Sequence, residues 1–133
     1  MDASVAIAWC FRDETTPFTE RVLNLVSVGA NVIVPSIWPL EIANALLWAE
    51  QRKRITAALS TAFLQRIRGF SVSIDPVDAG RTFDHVLAIA RQLKLSTYDA
   101  AYFELALRRS LPLATLDKNL RRAAVASGVG LLR

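Results

Sequence analysis

Short apolar runs rich in β-branched residues alternate along this chain with longer segments of helical period, and this alternation constrains the fold more than any other feature. Strands separated by helices favour a parallel sheet with helices on both faces. The predicted strands are Asn31–Pro35, Ser71–Asp75, Leu113–Leu116 and Val129–Leu132. The predicted helices lie near Ser4–Phe11, Phe18–Val28, Ile37–Gln51, Ala57–Arg68, Thr97–Arg108 and Lys118–Ala126, with a further helix face formed by Phe83, Val86, Leu87 and Ala90.

The length and composition indicate one domain with a substantial core. The chain has 133 residues and shows no linker, repeat or low-complexity stretch. A hydrophobic fraction of 53% and a mean hydropathy of +0.30 predict a buried sheet and an apolar surface covered by another chain. No apolar run reaches the roughly 18 residues of a membrane span and no secretory signal is recognisable, so we expect a cytoplasmic protein. The single cysteine, Cys10, excludes an internal disulfide.

Four acidic residues lie among apolar or small neighbours, where an unpaired carboxylate is costly. They are Asp2, Glu41, Asp99 and Asp117. Most other acids, such as Asp75, lie in polar segments or near turns, where hydration explains them, and Glu104 is expected at the surface.

The predicted elements place the four acids at one edge of the sheet. Asp117 follows the strand Leu113–Leu116, and Glu41 lies near the start of the helix after Asn31–Pro35. Asp2 begins the first helix, and Asp99 opens a helix behind Ser96 and Thr97, which are good capping residues. The carboxyl ends of parallel strands and the helix N-termini that follow share one edge, where ligands bind. Carboxylates gathered there need protons or a cation, and a divalent metal is the usual solution.

Each acid alone also has a structural explanation. Asp2 and Asp117 could be helix N-caps, and Glu41 and Asp99 could complement helix dipoles. However, Asp99 shares a helix face with the apolar residues Tyr102, Phe103 and Ala106. Glu41 shares a face with Asn44, whose amide could hold a carboxylate or a phosphate oxygen. One shared site explains the four positions better than four separate coincidences.

The net charge of +4 and a pI near 9.8 indicate a basic surface around the acids. Such a surface could steer a polyanion such as nucleic acid, although each patch alone is also explained as a solvated helix end. The candidate patches are Arg52-Lys53-Arg54, Arg66 with Arg68, Arg108-Arg109, and Lys118 with Arg121-Arg122.

Four segments in order resemble the PIN-domain ribonucleases, and within them the VapC-type toxins of bacterial VapBC toxin–antitoxin pairs. The segments are Asp2-Ala-Ser-Val-Ala, Val34-Pro-Ser-Ile-Trp-Pro-Leu-Glu41-Ile-Ala-Asn44, Leu95-Ser-Thr-Tyr-Asp99-Ala-Ala-Tyr and Pro112-Leu-Ala-Thr-Leu-Asp117. The resemblance implies a three-layer α/β/α sandwich with a central parallel sheet, in a single domain over residues 1–133. It also implies a metal-dependent endoribonuclease that uses Mg²⁺ or Mn²⁺.

The resemblance also implies roles for individual residues and partners. Asp2, Glu41, Asp99 and Asp117 match the acidic pocket of the family, and Ser4 and Thr115 match its supporting hydroxyl residues. We assign Asp2, Glu41 and Asp99 to metal binding, directly or through water, and Asp117 to a peripheral ligand or water-orienting role. The expected partners are an RNA substrate, a second copy of the chain in a homodimer, and a small antitoxin protein.

The chain departs from the family pattern at its start. Family members usually carry a short apolar strand before the first Asp, whereas only Met1 precedes Asp2 here, so we expect a truncated first strand. This feature keeps open the alternative of a catalytically inactive PIN-like module that binds RNA or protein. A phosphoryl-accepting receiver domain is disfavoured because the chain has no early acidic doublet in a strand context.

Overall fold

The structure, a computed structural model, describes residues 1–133 as a parallel sheet surrounded by helices. The helices are α1 (Ala3–Ala8), α2 (Pro17–Ser27), α3 (Trp38–Gln51), α4 (Ala57–Arg68), α5 (Ala79–Arg81), α6 (Leu87–Leu93), α7 (Thr97–Arg109) and α8 (Lys118–Ala126). The strands are β1 (Val32–Pro35) and β2 (Val72–Asp75), and a π-helical segment, Thr82–Val86, joins α5 to α6.

The regular part of the sheet is the parallel pair β1 and β2, with Val32 opposite Val72 and Pro35 opposite Asp75. Two further extended segments continue it. The Met1 nitrogen donates to the Ile33 oxygen at 3.3 Å, and the Asp2 amide donates to the Ala114 oxygen at 2.8 Å. Met1 and Asp2 therefore stand between β1 and the segment that leads to Asp117.

The strands predicted at Leu113–Leu116 and Val129–Leu132 are wrong as continuous strands. Only a single parallel bridge forms, between Leu113 and Leu131. A ladder needs a partner along its whole length, and the neighbouring segment supplies only Asp2 on that side. Met1 and Asp2 alone do not form a full ladder with the segments on either side.

The core has one large cluster and two small clusters. The large cluster joins buried side chains of β1, α3, α4, α7 and α8, including Val34, Ile42, Phe63 and Leu120. One small cluster joins Val5 of α1 to α2, and the other joins the π-helical segment and α6 to α7. Helices on both sides of a central sheet give the α/β/α sandwich expected from the sequence.

Some helices begin and end at the residues that the sequence predicted, and others do not. Helices α4 and α8 have the predicted bounds, and their N-caps are Thr56 and Asp117. Gly29 and Gly128 follow the ends of α2 and α8 and have φ of +98° and +72°, the left-handed conformation that glycine adopts without strain. The first helix is shorter than predicted, and the predicted helix face Phe83–Ala90 is divided between the π-helical segment and α6. None of the helices combines the length and apolar character needed to cross a membrane.

Candidate active site

Asp2 is a buried carboxylate held by two hydroxyls. Asp2 caps α1, and the residue is 7% exposed. One carboxylate oxygen, Oδ2, accepts hydrogen bonds from Ser4 Oγ at 2.7 Å and from Thr115 Oγ1 at 2.6 Å. The Ser4 amide donates to Oδ1 at 3.3 Å. The two supporting residues predicted from the sequence thus fix the orientation of Asp2.

Asp117 is tied to the same hydroxyl. Its amide donates to Thr115 Oγ1 at 3.0 Å, so Thr115 connects Asp117 with Asp2. The Asp117 side chain caps α8 by accepting from the Leu120 amide at 2.7 Å. One carboxylate oxygen therefore serves the helix, and the other has no partner within the protein.

Glu41 lies in the first turn of α3 and is half-buried. Its carboxylate accepts a hydrogen bond from the Tyr102 hydroxyl, which comes from α7. This is the one hydrogen bond that the Glu41 side chain makes. The sequence indicated Tyr102 only as part of an apolar stripe, and the contact was missed because it joins residues 61 positions apart.

Asp99 lies in the first turn of α7 and takes part in a reciprocal cap with Ser96. The Asp99 amide donates to Ser96 Oγ at 3.0 Å, and that hydroxyl donates to Asp99 Oδ2 at 2.8 Å. The predicted capping role of Ser96 is confirmed. A hydroxyl therefore orients this carboxylate as well.

No cation neutralises these acids. None of the four carboxylates forms an ion pair with a lysine, an arginine or the N-terminal amine. Burial raises the pKa of Glu41, and the charges of Asp2 and Asp99 raise it further, against the hydrogen bond from Tyr102. Burial also raises the pKa of Asp99, with contributions from Asp117 and Asp2. The four acids are thus electrostatically coupled and form a region of uncompensated negative charge.

The donor set fits a hard divalent cation bound partly through water. No three acidic, histidine or cysteine side chains are arranged as a ready-made metal cage. Mg²⁺ does not require one, because it keeps several waters and is commonly bound by one or two carboxylates. Asp2, Glu41 and Asp99 offer oxygen ligands, and their mutual repulsion favours a cation.

Asn44 is the predicted supporting residue that the structure leaves apart. Its side chain is exposed and makes no hydrogen bond with a site carboxylate. It remains free to contact a ligand.

Two acids expected in water are instead buried in a second cluster. The Asp75 side chain is 1% exposed and accepts from Arg108 at 2.5 Å, with Arg109 also paired to it. Glu104, whose side chain is 6% exposed, binds Arg81 and Arg108 at 2.9 Å each. The expectation for Asp75 was wrong because its two arginines lie 33 and 34 residues further along the chain. Glu104 pairs with Arg108 one turn along the same helix and with Arg81, 23 residues away. The Arg108-Arg109 patch is therefore largely neutralised.

Comparison with known proteins identifies the architecture. The family described as "PIN domain" matches residues 1–126. The fold is similar to the crystal structure of PAE2754 from Pyrobaculum aerophilum, with a TM-score of 0.71 and 22% sequence identity over 92% of this chain and 82% of that chain. No curated protein matches the chain.

Proposed function

This chain belongs to the PIN domain family, a family of nucleases, and we propose that it is a metal-dependent endoribonuclease that hydrolyses RNA phosphodiester bonds. The observation that carries the proposal is the group of four coupled carboxylates with no cationic partner. Mutual repulsion among gathered carboxylates is unfavourable unless a proton or cation neutralises it, and groups with perturbed pKa values cluster at functional sites.

The site residues have different roles in this proposal. Asp2, Glu41 and Asp99 would hold Mg²⁺ or Mn²⁺, and Asp117, with one oxygen occupied by its helix cap, would orient water at the edge of the site. When bound, the cation supplies Lewis-acid stabilisation of the charge that develops on the phosphate. Ser4, Ser96 and Thr115 keep the carboxylates aimed before substrate arrives.

The surface next to the acids suits a polyanion. Lys118 and Arg122 are exposed on α8, whose N-cap is Asp117. Arg121 is directed inward and donates to the Thr115 oxygen at 3.1 Å. Cations on α8 that do not pair with the site carboxylates would attract RNA without neutralising the site.

We further propose that the protein is a VapC-type toxin that forms a homodimer and is covered by a small antitoxin. Large apolar side chains are exposed on α3, including Leu40 (66%), Leu47 (51%) and Trp48 (52%), while the opposite face of α3 is buried. A helix with two apolar faces favours a protein partner on the outer one. The apolar composition agrees with this proposal.

The direct test is cleavage of a mixed RNA pool by the purified protein, with Mg²⁺ or Mn²⁺ and then with excess EDTA. We expect metal-dependent cutting that Asp99→Asn abolishes. The asparagine oxygen can still accept the Ser96 hydrogen bond, so the melting temperature should change little. Asp84→Asn is the matched control, because Asp84 is exposed and makes no hydrogen bond.

Two outcomes would contradict the proposal. Cleavage that persists in folded Asp99→Asn would remove Asp99 from the site. No cleavage with either metal, despite a folded protein that still binds RNA, would favour the catalytically inactive binding module.

A further inference from the structure

Tyr102 is a deeply buried side chain whose hydroxyl reaches one of the four acids. It lies on α7, is 1% exposed, and its ring packs in the large core cluster. Its hydroxyl emerges from that core at Glu41 and donates to Oε2. A rigid aromatic ring thus carries one donor to one carboxylate.

The four acids differ in how they are oriented. Asp2, Asp99 and Asp117 are held by hydroxyls or amides close to them in sequence or by Thr115. Glu41 has a longer side chain with one more rotatable bond and only the Tyr102 contact. Without that contact, the Glu41 carboxylate would be free to swing away from the other acids into solvent.

We propose that Tyr102 is a positioning residue that holds the Glu41 carboxylate toward Asp2 and Asp99 and thereby sets the affinity of the acid cluster for a divalent cation. The inference rests on the proposed function and adds a residue to its site. Outer hydrogen-bond partners of metal ligands typically contribute 10- to 100-fold to metal affinity.

The test compares Mn²⁺ binding, measured by electron paramagnetic resonance without RNA, in the unchanged chain and in Tyr102→Phe. The substitution removes one oxygen and keeps the ring, so we expect about a tenfold or greater loss of Mn²⁺ affinity. The melting temperature should fall only slightly, because the half-buried Glu41 can hydrate instead. Tyr98→Phe, on the same helix, is the control, since Tyr98 is 59% exposed and its hydroxyl makes no hydrogen bond.

A double-mutant cycle with Glu41→Gln separates positioning from a general structural effect. If Tyr102 acts through Glu41, Tyr102→Phe should cost little further affinity once the Glu41 charge is absent. An equal loss in both backgrounds, or unchanged Mn²⁺ affinity in Tyr102→Phe alone, would overturn this inference and leave the proposed function intact. If the protein without substitutions bound no Mn²⁺, both this inference and the proposed function would be overturned.

Discussion

At the scale of single residues, Thr115 connects two of the four acids, Asp2 and Asp117. Its side chain is fully buried, donates to Asp2 and accepts from the Asp117 amide. A hydroxyl is the only small side chain that can do both, because it carries a donor and acceptors on one atom. Thr115 therefore joins the start of the chain to the N-terminus of α8.

We expect Thr115→Val to destabilise the protein and weaken metal binding. Valine keeps the shape but leaves the Asp117 amide without an acceptor and removes one hydrogen bond from the buried Asp2 carboxylate. The free energy of unfolding, measured by urea denaturation, should fall by about 1–3 kcal/mol.

Thr61→Val is the matched control for this prediction. Thr61 is exposed on α4 and bonds only the Ala57 oxygen of its own helix, at 2.9 Å. Its replacement should change the free energy of unfolding by no more than about 0.5 kcal/mol. Equal effects of the two substitutions would show that the Thr115 contacts add nothing to stability.

At the scale of elements, α7 has opposite electrostatic roles at its two ends. Its first turn carries Asp99 beside unpaired carboxylates, whereas its last turn carries Arg108 and Arg109, which neutralise Asp75 at the end of β2. The hydrogen bonds from Arg108, followed by those from Arg109, hold the pKa of Asp75 below its ordinary value, against burial. The ion pairs of Asp75 therefore hold β2, the edge strand, against α7.

This cluster predicts an acid-sensitive contribution to stability. A carboxylate whose pKa is lowered in the folded state stabilises the fold above its unfolded pKa, and that contribution is lost as pH falls through the lowered value. Asp75→Asn should therefore lower the free energy of unfolding by about 2 kcal/mol at pH 7. The difference from the unchanged chain should shrink as pH falls below the ordinary value of 3.8.

Asp13→Asn provides the comparison. Asp13 also pairs with an arginine, at 3.0 Å, but its side chain is 75% exposed, so water and salt screen the pair. Its replacement should have little effect at any pH. A difference between Asp75→Asn and the unchanged chain that stays constant down to pH 2 would contradict the role given to the Asp75 charge.

The sequence predicted features that depend on neighbouring residues and missed features that depend on residues far apart in the chain. The helix starts after Ser96 and Asp117 could be predicted because an N-cap bonds a backbone amide three positions further along the chain. The burial of Asp75 could not, since its partners lie 33 and 34 residues further along the chain. The strand at Leu113–Leu116 failed for the same reason, because a ladder depends on a neighbour that only the fold supplies.

At the scale of the whole molecule, the middle of the sheet around Met1 contains an apolar cavity and an unpaired backbone amide. An apolar cavity of about 220 Å³ adjoins Met1 and is lined by residues that include Val22, Ile33, Leu105 and Leu113. The Ala114 amide donates no hydrogen bond. Burial lowers the pKa of the Met1 amine to about 6, against the opposing charge of Asp2. The centre of the fold thus combines an empty apolar space with poorly placed polar groups.

A short apolar strand added before Met1 should fill this space. We expect four residues of valine and isoleucine to enter the cavity parallel to β1 and to replace the buried amine with a peptide N–H. The free energy of unfolding should rise, because filling a cavity in a core stabilises a protein by about 24 cal/mol per Å³ of cavity volume. Hydrogen exchange at the Ala114 amide should slow, because the new strand would offer it an acceptor.

A four-residue glycine–serine segment at the same place distinguishes filling of the cavity from removal of the amine. Both segments convert the buried amine to an amide, but glycine and serine bury almost no apolar surface and lose more conformational freedom on ordering. If both segments stabilised the protein equally, the gain would come from removal of the buried amine alone. A stabilised valine–isoleucine variant with slower exchange at Ala114, beside an unaffected glycine–serine variant, requires a strand in the middle of the sheet. Asp2 would then be held from both sides by ordered backbone, and Mn²⁺ affinity should rise with stability in that variant only.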